Sequence, residues 1–192
     1  MSDVDDPLIG RELGGRYRLT AKLGKGGMGT VYVARHDALQ RDVVVKVISR
    51  DRPEPEVVAR FKREALAVGQ LVHPNIVSVY DFGVDDGMMY IAMELLVGRT
   101  LRSLLDEKRW LPWRETLDVV ADIARGLAHA HEKGIVHRDL KPANVMLVDA
   151  KGGRSFAKIL DFGVAKLTAS ASPGVTATET GSGMMLGTPG YI

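Results

Sequence analysis

The sequence predicts an α+β chain: a small antiparallel sheet followed by a mainly helical part. Two observations carry this. Short apolar runs of β type, separated by glycines and turn residues, fill the stretch from Tyr17 to Ile48. Helical spacings of three and four then recur over 56–71 and again over 113–132.

Taken in order, residues 1–15 read as a polar leader containing Pro7, Gly10, Gly14 and Gly15. Tyr17 and Leu19, Val31 to Val33, and Val43 to Ile48 form the first strands. Arg50 to Pro55 is a loop with two prolines. Val57, Phe61, Glu64, Val68 and Leu71 share one stripe of a helix over 56–71, which His73-Pro74-Asn75 ends. Strands follow over 76–82 and 88–95, joined by Asp85-Asp86-Gly87. A short helix over 101–105 precedes a long one over 113–132, with Leu117, Val120, Ala121, Ala124, Leu127 and Ala128 on one side and Lys133-Gly134 as its stop. Strand pairs fit 145–148 and 157–160, and the Ser-, Thr- and Gly-rich stretch from Thr168 to Gly187 reads as a mobile loop.

The chain has 192 residues, a formal charge of +2 and 45% hydrophobic residues, which is globular composition and no field for nucleic acid. Without cysteine it has no disulfide, thiolate metal site or Cys nucleophile. No apolar run approaches the roughly 18 residues of a membrane helix, and the acidic start (Asp3, Asp5, Asp6) is unlike a signal peptide. A cytoplasmic chain without membrane contact in this segment is expected.

Three stretches carry chemistry. Gly24-Lys25-Gly26-Gly27-Met28-Gly29-Thr30-Val31 lets backbone N–H groups approach phosphate oxygens. A dinucleotide fold would need a helix next, but the strand-like Thr30 to Ala34 follows, so the loop suits a flap over a nucleotide; a glycine hairpin without ligand fits these residues too. Lys46 lies inside the apolar run 43–48, and Glu64 shares an apolar helix stripe. Each either turns to water or meets a partner, and a Lys46–Glu64 ion pair would explain both. His137-Arg138-Asp139-Leu140-Lys141-Pro142-Ala143-Asn144, followed by Asp161-Phe162-Gly163, offers a carboxylate base, a cation and hard oxygen ligands. These are the groups phosphoryl transfer needs: Asp139 to accept a hydroxyl proton, Lys141 to neutralise charge, and Asn144 and Asp161 to hold Mg²⁺.

In this order and wording the motifs resemble those of eukaryotic-type (Hanks-type) serine/threonine protein kinases, and Gly26-Gly27-Met28-Gly29 resembles bacterial members. The resemblance covers about residues 17–192. It implies a two-lobed fold: a flexible leader over 1–16, an antiparallel N-lobe over 17–94, and an incomplete helical C-lobe over 95–192 ending in the activation and substrate loop. It also implies ATP and Mg²⁺ as cofactors, Ser/Thr hydroxyls of proteins as acceptors, and a kinase dimer for trans-autophosphorylation. Asp139, Lys141 and Asn144 take the catalytic roles. Leu23 to Val31, Val44, Lys46, Glu64, Met93, Glu94, Leu96 and Met146 surround ATP, with Lys46 on the α- and β-phosphates. Val31 and Val44 roof the adenine, Met146 floors it, Met93 is the gatekeeper and Glu94 to Leu96 the hinge. Val68, Val79, His137 and Phe162 stack as an internal spine.

Val44 stands where the family usually has Ala, which tightens the adenine slot. Gly187 to Ile192 resembles the start of the peptide-substrate loop, after which the sequence stops. A fragment or truncated kinase is expected, with the apolar side of helix 113–132 short of cover and any membrane anchor lying beyond Ile192. A nucleotide-binding or regulatory fragment without catalysis is the second reading. Thr176 and Thr178 resemble phosphoacceptors, with Arg138 placed to receive the phosphate. His129 and His131 point in different directions on their helix and read as ordinary helix residues.

Overall fold

The structure, a computed structural model, describes residues 6–26, 29–49, 53–149 and 155–162. It divides into two compact units, one formed by Met1–Gln70 with Ser78–Leu95 and the other by Leu71–Val77 with Leu96–Ile192.

The first unit is built on a six-stranded antiparallel sheet. Its strands are β1 (Glu12–Leu13), β2 (Tyr17–Gly26), β3 (Gly29–His36), β4 (Arg41–Ser49), β5 (Val79–Asp85) and β6 (Met88–Met93), in the order β1-β2-β3-β4-β6-β5. The turn between β5 and β6 places Asp86 and Gly87 at φ +46° and +78°, the left-handed pair a tight hairpin requires. One face of the sheet carries the core: Leu19, Tyr32, Ala34, Val43, Val45, Val47, Tyr90 and Ala92 are buried together. Helix α1 (Pro55–Gly69) begins with Pro at its first position, buries Phe61, Ala65 and Val68, and sets Phe61 edge-on to Phe82 at 6.2 Å.

Two expectations change here. The polar leader is not loose over 6–13. Leu8 and Leu13 are buried in the sheet core and β1 pairs with β2, because these leucines supply apolar cover that the composition of the stretch conceals. The strand expected over 76–82 is divided: β5 starts at Val79, whereas Ile76 and Val77 belong to the second unit and bond to Ile159. An apolar run announces burial but not the partner.

The second unit packs a three-stranded sheet, β7 (Gly98–Thr100), β8 (Val145–Asp149) and β9 (Ser155–Ile159), with helices α2 (Leu101–Lys108) and α3 (Trp113–Glu132). Thr100 caps α2 by accepting from the Ser103 N–H at 3.1 Å. Gly134, at φ +72°, ends α3 while Ile135 and Gly134 donate back to Ala130 and His131. Leu104, Val145, Leu147 and Ala157 form the core with Val119 and Ile123 of α3. The face of α3 that is packed thus runs through Val119, Ile123, Gly126 and Ala130. Of the expected stripe, Leu117 and Val120 are 58% and 54% exposed. Two apolar faces at helical spacing cannot be ranked from periodicity alone.

The segment 73–77 is laced to β9. Asn75 donates through Nδ2 to the Ala157 carbonyl at 2.9 Å and accepts from the Ile159 N–H at 2.9 Å; the Val77 N–H donates to Ile159 at 3.0 Å. The Ala157 N–H donates to Asp122 of α3 at 2.9 Å. His73 accepts the Asn75 N–H on Nδ1 and stacks on His129 at 5.2 Å. Burial, His129 and Arg125 all hold the His73 pKa below its ordinary value.

A Cβ on Gly126 would lie 2.9 Å from Ile159 Cδ1 and 3.0 Å from the Asn75 carbonyl oxygen. Gly126→Val is therefore expected to cost about 1–3 kcal/mol, read as a lower urea midpoint with unchanged m-value. His73 takes its proton first in the unfolded chain as pH falls, so stability rises with pH up to His73's ordinary pKa, about 6.5, and levels off above it. Thermal unfolding between pH 5 and pH 7 should show that slope, and His73→Asn, which keeps an acceptor near the Nδ1 position, should flatten it.

Candidate active site

In the first unit, β2 and β3 form the glycine hairpin, with Gly24 opposite Val31, Lys25 opposite Thr30 and Gly26 opposite Gly29. Leu23, Gly24, Lys25 and Gly26 are exposed. Gly27 and Met28 lie outside the described residues. Gly29 has φ +131°, and a Cβ there would run into the Val47 carbonyl, so this position requires glycine.

The register of the next strands sorts the expected nucleotide residues. Val31 pairs with Lys46 and Lys46 with Ile91; Val33 pairs with Val44 and Val44 with Met93. Because side chains alternate, Val31, Val44, Lys46 and Met93 share the sheet face opposite the core. They make an apolar patch with a single ammonium in its row, and Lys46 is only 7% exposed. Thr30 instead joins the buried core-side set with Tyr32 and Ala34, so only its backbone belongs to the loop. Glu94 closes the end of β6: its N–H donates to the Ser78 carbonyl at 2.9 Å, and its carboxylate accepts from the Ser78 N–H at 3.3 Å.

The Lys46–Glu64 ion pair is not formed among the described residues. Phe61, Ala65 and Val68 set the face that α1 buries, which leaves Glu64 half-buried at the stripe edge. The stripe showed that Glu64 lies near the core; it could not show whether the rotation of α1 carries the carboxylate to Lys46.

In the second unit, the loop 137–144 folds around Asp139, whose side chain is 4% exposed. Lys141 Nζ lies 3.1 Å from Asp139 Oδ2. Asn144 Nδ2 donates to the Asp139 carbonyl at 2.8 Å and to Oδ2 at 3.3 Å. His137 is buried; its Nδ1 accepts the Asp139 N–H at 3.2 Å, so Nε2 carries the proton it gives to the Leu160 carbonyl at 2.7 Å. The Leu160 N–H in turn donates to the Asn144 carbonyl at 2.8 Å. Leu160 is therefore held on both sides by the loop that carries Asp139 and Asn144, which brings Asp161 to the same loop. The His137 ring also meets Phe162 at 4.8 Å, two members of the expected spine. Arg138 and Asp161 adopt left-handed backbone, φ +61° and +52°, which is uncommon outside glycine and concentrates at functional sites. Met146 and Leu96 are half-buried. Thr176 and Thr178 lie outside the described residues.

In the sequence Asn75 reads only as part of a helix break, and Asp122 carries no signal. Both hold β9, the strand that precedes Asp161.

The chain matches the protein kinase domain over residues 17–192. It is 40% identical over 189 residues to the serine/threonine-protein kinase pkn3 of Myxococcus xanthus, covering 97% of this chain and 34% of that protein. It is 40% identical over 186 residues to the serine/threonine-protein kinase PrkC of Bacillus subtilis, covering 96% and 27%. Among solved structures it resembles the PknI kinase domain of Mycobacterium tuberculosis, with 34% identity and a TM-score of 0.70 over 81% of this chain and 62% of that one. The chain belongs to the protein kinase family and has its fold. It spans about a third or less of the length of these two curated relatives.

Gly29→Ala should destabilise the hairpin by about 1–3 kcal/mol through backbone strain, seen as a lower melting temperature with β2–β3 amide exchange raised most.

Proposed function

We propose that this chain is the catalytic part of an ATP-dependent protein serine/threonine kinase that transfers the γ-phosphoryl group to Ser and Thr hydroxyls of proteins and regulates itself by autophosphorylation. The observation that carries the reading is the buried Asp139 with Lys141 and Asn144 on its carboxylate and Asp161 tied in through Leu160.

The roles follow from the chemistry of these groups. Asp139 takes the proton of the attacking hydroxyl as the new P–O bond forms and the bond from the γ-phosphorus to the β–γ bridging oxygen breaks, releasing ADP. Lys141, 3.1 Å from that carboxylate, is proposed to balance negative charge on the transferring phosphoryl. Asn144 donates to Asp139 with Nδ2, and we propose its Oδ1, with the Asp161 carboxylate, as the metal ligands. Two hard oxygen donors suit Mg²⁺, which when bound neutralises and orients the triphosphate. In the first unit, Val31, Val44 and Met93 offer an apolar surface to a flat base, Lys46 serves the α- and β-phosphates, and Gly24, Gly26 and Gly29 let backbone approach them. From the family resemblance alone, Leu96 and Met146 are proposed as further adenine contacts. Thr176 and Thr178 are proposed as phosphoacceptors, and the acceptor proteins as the partners. No helix among the described residues is long and apolar enough to cross a membrane; we place the kinase part in the cytoplasm.

Transfer of labelled γ-phosphate from Mg·ATP to a Ser/Thr-containing protein tests this, in this chain and in its full-length protein. Asp139→Asn and Lys46→Met should each lower the rate roughly 10²–10⁴-fold. Undiminished transfer by Asp139→Asn would remove Asp139 as the base. Mg·ADP binding without transfer in both forms would favour the regulatory reading.

A further inference from the structure

We infer that Asp6 is a positioning residue for the nucleotide loop: it staples the β2–β3 hairpin shut just below its glycine turn. The inference rests on the kinase reading for what the hairpin holds, but its geometry is independent of that reading.

Beyond Lys22, strand β2 offers the hairpin little side-chain anchorage. Leu23, Gly24, Lys25 and Gly26 are all exposed, and a register shift separates Lys22 from Gly24. Glycines lose the most entropy on ordering, so this turn has to be held from its base. The last pair before the shift is Lys22 opposite Tyr32. Both side chains reach one carboxylate that arrives from outside the hairpin. Lys22 Nζ lies 2.9 Å from Asp6 Oδ2, and the Tyr32 hydroxyl lies 3.2 and 3.1 Å from Oδ1 and Oδ2. Asp6 is fixed in turn: Oδ1 accepts the Leu8 N–H at 3.1 Å and its carbonyl accepts the Ile9 N–H at 3.0 Å. Leu8 is anchored in the sheet core.

The Asp6 side chain is 6% exposed, so a carboxylate there has to be compensated. Burial alone would raise its pKa; the Lys22 ammonium, the Leu8 N–H and the Tyr32 hydroxyl outweigh that and bring it to about 2. It is ionised across the working range. Tyr32 is fully buried, so loss of the Asp6 carboxylate removes a buried acceptor from its hydroxyl and the anion facing Lys22. Both strands of the hairpin would loosen at the same point.

Asp6→Asn removes the charge and keeps the shape; Tyr32→Phe removes only the hydroxyl, should the first variant fold poorly. Asp37→Asn, which touches the exposed Arg18 on the same sheet, is the control. Amide hydrogen exchange should rise roughly tenfold in Leu23–Gly26 and Gly29–Tyr32 and stay unchanged in β4 and β6. Affinity for Mg·ADP should fall roughly tenfold in Asp6→Asn, the scale of one charge-assisted bond. Asp37→Asn should change neither. Unchanged hairpin exchange, or a rise spread evenly over the sheet, would overturn the staple; a loosened hairpin with native Mg·ADP affinity would overturn its positioning role. If the unsubstituted chain binds no Mg·ADP, the kinase reading fails by itself, and exchange alone decides the staple.

Discussion

A carboxylate taken out of water must be compensated where it stands, and the loop around Asp139 is organised by that requirement. Its Oδ2 meets an ammonium and an amide, its backbone N–H meets an imidazole, and the same imidazole and the same Asn residue hold Leu160 from either side. The interactions that make burial of the base tolerable also decide where Asp161 stands. Structure and chemistry are coupled through one set of hydrogen bonds.

Behind that loop, β9 is held independently of the loop's own residues. Asn75 brackets Ala157 and Ile159, and Asp122 holds the Ala157 N–H from α3. Gly126 lets α3 come close to Ile159 and Asn75. A strand that carries a metal-ligand candidate at its end is thereby fixed along its length, which is the rigidity that electrostatic catalysis requires.

The first unit solves a different problem. Its sheet carries the buried core on one face and sets Val31, Val44, Met93 and Lys46 on the other. Strand pairing alone sets these four side by side, because a one-residue slip would exchange the two faces. The β2–β3 hairpin is rich in exposed glycine, and the N-terminal segment meets its base through Asp6, which contacts Lys22 and Tyr32.

Local chemistry was legible in the sequence. The glycine spacing, the apolar run around Lys46, the Asp139 octapeptide and Asp161-Phe162-Gly163 named the groups, because residue type and short spacing determine what a loop can bond. Helix α3 was legible from its period and its Gly134 stop. Only the tertiary structure decided which faces and partners those elements take. It set the packed face of α3 at Ile123 and Gly126, left Glu64 without an ion pair to Lys46, turned Thr30 inward, divided 76–82 between two units, and brought Asp6 to Lys22 and Tyr32. These outcomes depend on contacts between residues distant in the chain, and the rotation or register that selects them is a property of the whole packed unit.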